Sequence, residues 1–189
     1  QALVSRDQSR PLISFVGRMS FQKGLDVLMD AMDSYGGDPG FDLAIAGKGE
    51  LSDWLAQRHS TSLAKQSITI LGLVSDSEKR WLYENSQCIT IPSRFEGLPT
   101  VMLEAMHSGT PVVMADVNGL GSMLDGSGSG VSVPPEDPSS LASAMAHVAK
   151  ADEQTTSSWG SSGRDASRDY QWDRVTDRIL EVYRRVIGE

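Results

Sequence analysis

Cysteine is almost absent: Cys88 is the only one in 189 residues, so no disulfide can form within the chain and a small secreted disulfide scaffold is excluded. A lone thiol inside an apolar stretch suits a reducing compartment, and a cytoplasmic location is the expectation. Histidine is scarce as well. His59, His107 and His147 stand far apart, no His/Asp/Glu group has metal-ligand spacing, and neither a metal nor a cofactor is expected. No apolar run approaches the roughly 18 residues that a membrane helix needs. Residues 1–8, Gln-Ala-Leu-Val-Ser-Arg-Asp-Gln, lack the charged and apolar regions of a signal peptide and read as part of a linker. Positive charge is the minority sign, 17 Lys and Arg against 25 Asp and Glu, for a net −8. Such a mean field attracts neither nucleic acid nor an acidic membrane. An anionic small ligand would need cations gathered locally.

What is present is an apolar fraction of 39%, enough for one domain with a full core. Residues 1–10 read as a lead-in, 11–150 as the domain and 151–189 as closing helices. Continuous apolar stretches at 12–17, 41–46, 68–71, 88–91, 111–115 and 131–133 read as short buried strands. Helical spacing or capping signals fill the intervals. The segment 25–34 carries Leu25, Leu28, Met29 and Met32 on one face, and 50–58 follows the turn Gly47-Lys48-Gly49. Ser75-Asp76-Ser77-Glu78 has the form of a capping box, and Asp137-Pro138 opens a helix at 139–149. Residues 116–130, rich in Gly and Ser, read as a mobile loop. Residues 152–169 make a weak helix at best, whereas 172–187 carry Val175, Ile179, Val182, Tyr183 and Val186 at clean amphipathic spacing. Strands alternating with helices six times predict an α/β fold, a Rossmann-like, doubly wound, mainly parallel six-stranded sheet that binds ligand outside the carboxyl ends of its strands.

The most informative stretch runs from Pro92 to Met106, Pro-Ser-Arg-Phe-Glu-Gly-Leu-Pro-Thr-Val-Met-Leu-Glu-Ala-Met. It leaves the fourth strand and enters a helix opened by Pro99 and Thr100, whose first amides, on Thr100, Val101 and Met102, are expected to point outward toward an anion. Glu104 lies on the face of Thr100, and helical side chains lean toward the N-terminus. Its carboxylate can therefore reach hydroxyls beside a phosphate held by those amides. The other reading is that Thr100, Glu104, His107 and Ser108 are the wet face of an amphipathic helix. Arg18 and Lys23 follow the first strand at the same sheet edge and can close on a diphosphate, unless they are ordinary solvated surface. Gly47-Lys48-Gly49 lacks the third glycine of a dinucleotide fingerprint, and the chain has no P-loop motif.

Glu96 and Glu104, with Gly97 after the first and Ala105-Met106 after the second, resemble the Glu-x7-Glu signature of the family-4 retaining glycosyltransferases of GT-B architecture. The resemblance continues through Ser108-Gly109-Thr110-Pro111-Val112-Val113 and through Val16-Gly17-Arg18-Met19 with Lys23-Gly24, and it covers the C-terminal half of such an enzyme. It implies that Arg18 and Lys23 bind the donor's phosphates, that Glu96 faces the donor sugar, that the amides of Thr100 and Val101 bind the distal phosphate, that Glu104 accepts hydrogen bonds from the ribose hydroxyls, and that Gly17, Gly97 and Leu98 also belong to the donor-binding set. The base would be read by backbone at Val74, and Gly47-x-Gly49 would allow close approach to the ligand. Arg18, Lys23 and Glu96 would carry catalysis without a metal. Implied partners are a UDP- or GDP-linked sugar and a missing N-terminal acceptor domain, through which alone a membrane would be reached; the implied setting is polysaccharide or glycolipid biosynthesis. Two departures stand out: Pro99 where many relatives have glycine, and Asn118 and Ser122 in a loop that usually reads Gly-Gly-x-x-Glu. The rival readings are an inactive nucleotide-sugar-binding or regulatory module, and another GT-B enzyme such as a sugar-nucleotide epimerase or a phosphorylase.

Overall fold

The computed structural model describes residues 9–188, so most of the lead-in expected at 1–10 lies outside the described residues. Six parallel strands form one sheet in the order β3-β2-β1-β4-β5-β6. They are β1 (Leu12–Val16), β2 (Asp42–Ala46), β3 (Ile68–Gly72), β4 (Cys88–Ile91), β5 (Val112–Ala115) and β6 (Gly130–Val133). The helices are α1 (Leu25–Asp33), α2 (Ser52–Thr61), α3 (Asp76–Asn85), α4 (Thr100–Ser108), α5 (Leu120–Ser127), α6 (Pro138–Ala149), α7 (Glu153–Ser167) and α8 (Trp172–Ile187).

Alternation along the strands builds two cores. Ile13 and Phe15 of β1 face one side with Leu28 of α1, Leu55 of α2 and Met145 of α6. Ile89 and Ile91 of β4 face the other with Tyr83 of α3, Met102 and Met106 of α4 and Leu124 of α5. Both faces of the central strands are thus covered, which is why these strands read as unbroken apolar runs. The capping box at Ser75 and Glu78 forms, as does the Asp137 cap of α6.

Two local expectations are corrected. The Gly/Ser-rich segment holds α5, because Leu120 and Leu124 are one turn apart and both bury, and Asp116 Oδ1 accepts the Gly121 N–H at 2.8 Å. The weak helix is the 15-residue α7, lying on α4. A Cβ on Gly160 would come 2.3 Å from the carbonyl oxygen of Gly109, so the small residues that lower helix propensity are what let the two backbones approach. α8 forms as expected, and none of its residues is buried.

Candidate functional site

The ligand edge follows from topology. β1 and β4 are neighbours in the sheet although two strands separate them in sequence, so the connections leaving their carboxyl ends diverge over a crevice. Gly17, Arg18 and a 3-10 turn at Phe21–Lys23 lie in the first connection. Gly24 ends that turn at φ 64°, and a Cβ there would fall 2.0 Å from the Pro92 carbonyl oxygen. Only glycine lets the first connection rest on the start of the second.

That contact delivers Lys23 to Glu96. Lys23 Nζ lies 2.6 Å from Glu96 Oε1, and the same oxygen accepts from Ser93 Oγ at 2.6 Å. Glu96 is 7% exposed, and a cation plus a hydroxyl is the pairing a buried carboxylate requires. Asn118 Nδ2 donates to the Glu96 backbone oxygen at 2.5 Å from a left-handed backbone, φ 54°, which asparagine tolerates. Ser122 is exposed on α5. Arg18 is exposed, and its guanidinium has no partner among the described residues.

Arg94 braces this loop. Its guanidinium grips Asp26 of α1 through two bonds of 2.8 and 2.7 Å, donates to Glu136 Oε1 at 2.8 Å, and sits 4.0 Å over the Phe21 ring. Hydrogen bonding to Arg94, opposed by burial, holds the Asp26 carboxyl below its ordinary value.

At the start of α4, the N–H groups of Thr100 and Val101 have no partner among the described residues, whereas Met102 and Leu103 both donate to the Pro99 carbonyl, at 3.0 and 3.4 Å. Three outward amides were expected and two are found. Pro99, as N-cap with ψ 120°, turns its carbonyl under the first helical turn and occupies the third. Gly97, Leu98 and Thr100 are exposed here.

Glu104 is held from the side. Its Oε2 accepts from Tyr83 Oη at 2.6 Å and its Oε1 from Lys79 Nζ at 3.2 Å, both from α3, so it leans toward α3. Burial, then the hydrogen bond and charge of Glu104, push the Tyr83 phenol far above its ordinary pKa, and it remains a donor. A groove of about 310 Å³ opens between α3 and α4, with Lys79, Arg80, Tyr83, Glu104 and His107 in its lining. His107 is exposed. Val74, after β3, packs with Leu71 and Trp81 against a small core of Leu12, Ala44, Ala46 and Leu82 over β1 and β2.

Gly47 serves the fold. A Cβ on it would lie 1.8 Å from the Gly17 oxygen, so the close approach it permits is to the first connection, and Lys48 is exposed. Tyr83, Lys79 and Arg94 were not singled out from the sequence. Lys79 and Tyr83 are one turn apart, but which helix their face meets is set by tertiary packing. Among the described residues, no group of three or more His, Cys, Asp or Glu side chains is placed to hold a metal ion, and no helix is long and apolar enough to cross a membrane.

Residues 10–151 match the family model described as "Glycosyl transferases group 1". A Methanocaldococcus jannaschii protein described as an uncharacterized glycosyltransferase is 31% identical over 180 residues, which are 92% of this chain and 44% of that protein. In structure, the chain resembles a mutant of S. aureus TarM solved with Fondaparinux, alpha-GlcNAc-glycerol and UDP, at TM-score 0.81 and 18% identity, over 95% of this chain and 36% of that one. It also resembles Anabaena HepE solved with UDP, at TM-score 0.77 and 22% identity, over 92% and 48% respectively. The chain therefore spans less than half the length of each of these three relatives.

Proposed function

The chain belongs to the group 1 glycosyltransferases, and from that membership we propose that it is the donor-binding half of a retaining, metal-independent enzyme. It would move a hexosyl group from a nucleoside-diphosphate sugar to an acceptor hydroxyl. The observation that carries the reading is the pair of amides on Thr100 and Val101 that have no partner among the described residues, in the same connection as Glu96 with its ion pair to Lys23, and with Glu104 one turn further along α4. A diphosphate fits the amides, the helix N-terminus and the two cations Arg18 and Lys23. Glu104 supplies the acceptor that ribose hydroxyls need.

In the reaction, the bond from the anomeric carbon to the diphosphate oxygen breaks with its electron pair going to that oxygen, a bond to the acceptor oxygen forms with net retention, and the acceptor's proton passes to the leaving diphosphate. Negative charge grows on the leaving diphosphate. Arg18, Lys23 and the amides of α4 oppose it, so charge stabilisation needs no divalent ion. Donor uptake would draw Lys23 toward phosphate and free an oxygen of Glu96 for the sugar. UDP in two structural relatives supports a nucleotide in this crevice, with UDP or GDP as the donor's carrier. The acceptor site, any membrane contact and the pathway, polysaccharide or glycolipid synthesis in the cytoplasm, would belong with an N-terminal partner domain.

Calorimetric titration of the 189-residue chain with UDP, GDP and ADP, each with and without EDTA, tests the site and the base together. Binding of one nucleotide, unchanged by EDTA, is expected. No binding of any of the three, or binding abolished by the chelator, would count against the reading.

A further inference from the structure

We propose that Tyr83 is a positioning residue for Glu104, fixing its carboxylate so that the oxygen now held by Lys79 is the one presented to a nucleoside's ribose. The inference rests on the reading of Glu104 as the ribose acceptor.

Glu104 has two partners of different kinds. Tyr83 is 3% exposed and part of the apolar core between the sheet and α4. Its backbone is pinned too, since Thr110 Oγ1 donates to the Tyr83 carbonyl oxygen across from α3 to the start of β5. A phenol on two torsions, with ring and backbone both held, can place its O–H at one point only, and that point is 2.6 Å from Oε2. Its pKa, raised by burial and then by the neighbouring carboxylate, keeps the proton in place.

Lys79 is the opposite case. Its side chain is 32% exposed, its contact with Oε1 is the longer at 3.2 Å, and four torsions let the ammonium swing into water. Of the two donors it is the one that a ligand hydroxyl can replace. The exchange leaves Glu104 charged and fully hydrogen-bonded in both states, so ribose binding exposes no unpaired carboxylate. Arg80 and Lys79 both line the groove that holds Glu104.

The test compares ribose with 2′-deoxyribose. Affinities of UDP and 2′-deoxyUDP, and of GDP and 2′-deoxyGDP, are measured for the wild-type chain and for Y83F, K79M and E104Q, each checked for an unchanged thermal transition. The wild type should prefer the ribonucleotide of the pair it binds by about tenfold or more, the scale of a hydrogen bond to a charged acceptor. Y83F should lose most of that preference by weakening the ribonucleotide while leaving the deoxynucleotide unchanged. K79M should keep or increase it, and E104Q should abolish it. A wild-type preference that survives Y83F, or a Y83F loss equal for both nucleotides, overturns the assignment of Tyr83. Loss of the preference in K79M overturns the assignment of Lys79 as the exchanged partner. A wild type that binds both members of each pair equally, or neither, overturns the ribose reading itself.

Discussion

Glu96, Glu104 and Asp26 are each held by a cation, and that pairing decides what each mutation should do. Glu104→Gln removes the charged acceptor proposed for the nucleoside, and nucleoside diphosphate binding should weaken by about 1.5–3 kcal/mol in calorimetry. Glu96→Gln should weaken it less, because Glu96, tied to Lys23 and Ser93, is proposed to face the sugar; equal losses would contradict the division of roles. Arg94 gives a pH prediction. It holds the Asp26 carboxyl below the ordinary 3.8, so over that interval the folded chain binds fewer protons than the unfolded one. The pair's stability is present above the ordinary value and is lost as pH falls through the lowered one. Arg94→Met should lower stability at neutral pH and flatten the decline below about pH 3.8, measured by urea unfolding at a series of pH values. The residue types at Arg18, Lys23, Glu96 and Glu104 were legible from motif and spacing. Their partners were not, since Tyr83 and Lys79 meet Glu104 only once α3 lies beside α4.

At the scale of elements, the six strands and the capped helices were legible because buried parallel strands and side-chain caps write themselves locally, as at Cys88–Ile91 and at Ser75. The two misread segments share a cause. Glycine and serine lower helix propensity by at most about 1 kcal/mol per residue, and burial outweighs that where the neighbouring surface is close. In α5 the burial comes from Leu120 and Leu124. In α7 Gly160 and Gly163 supply the approach itself, the latter with a would-be Cβ 3.4 Å from Met106 Cα. Gly160→Ala improves local propensity yet drives a methyl into the Gly109 carbonyl 2.3 Å away. It should destabilise the chain by about 1–3 kcal/mol, the usual cost of overpacking, seen as a lower urea midpoint. A neutral or stabilising result would mean that α7 is not seated on α4. The seat matters to function because α4 carries both the free amides and Glu104.

For the whole molecule, the open question is how much of a reaction one sheet can perform. α8 leaves Trp172 83% and Tyr183 62% exposed, a large apolar surface on a chain that spans less than half the length of those three relatives; strong acrylamide quenching of Trp172, isolated in a variant in which it is the only tryptophan, would agree with that exposure. The groups proposed to bind the donor follow two neighbouring strands, Arg18 and Lys23 after β1, Glu96 and the amides of α4 after β4. In that proposal the groups that orient an acceptor hydroxyl belong to a partner domain. Glycosyl transfer requires that hydroxyl in line with the anomeric carbon and shielded from water, and such positioning accounts for roughly 7–11 kcal/mol of barrier reduction. Without it, the cations and amides would still bind the diphosphate in the proposed site, but in an open crevice where water competes for every contact, and affinity should fall below that of a site closed by a second domain. The 189-residue chain should therefore bind nucleotide weakly and at most hydrolyse the donor slowly, because water is the one acceptor that needs no positioning domain. Incubation with labelled nucleotide sugars and a panel of acceptors should give free sugar only. Multiple-turnover formation of a glycoside would show that the chain holds its own acceptor site, and that the division of labour proposed for it is wrong.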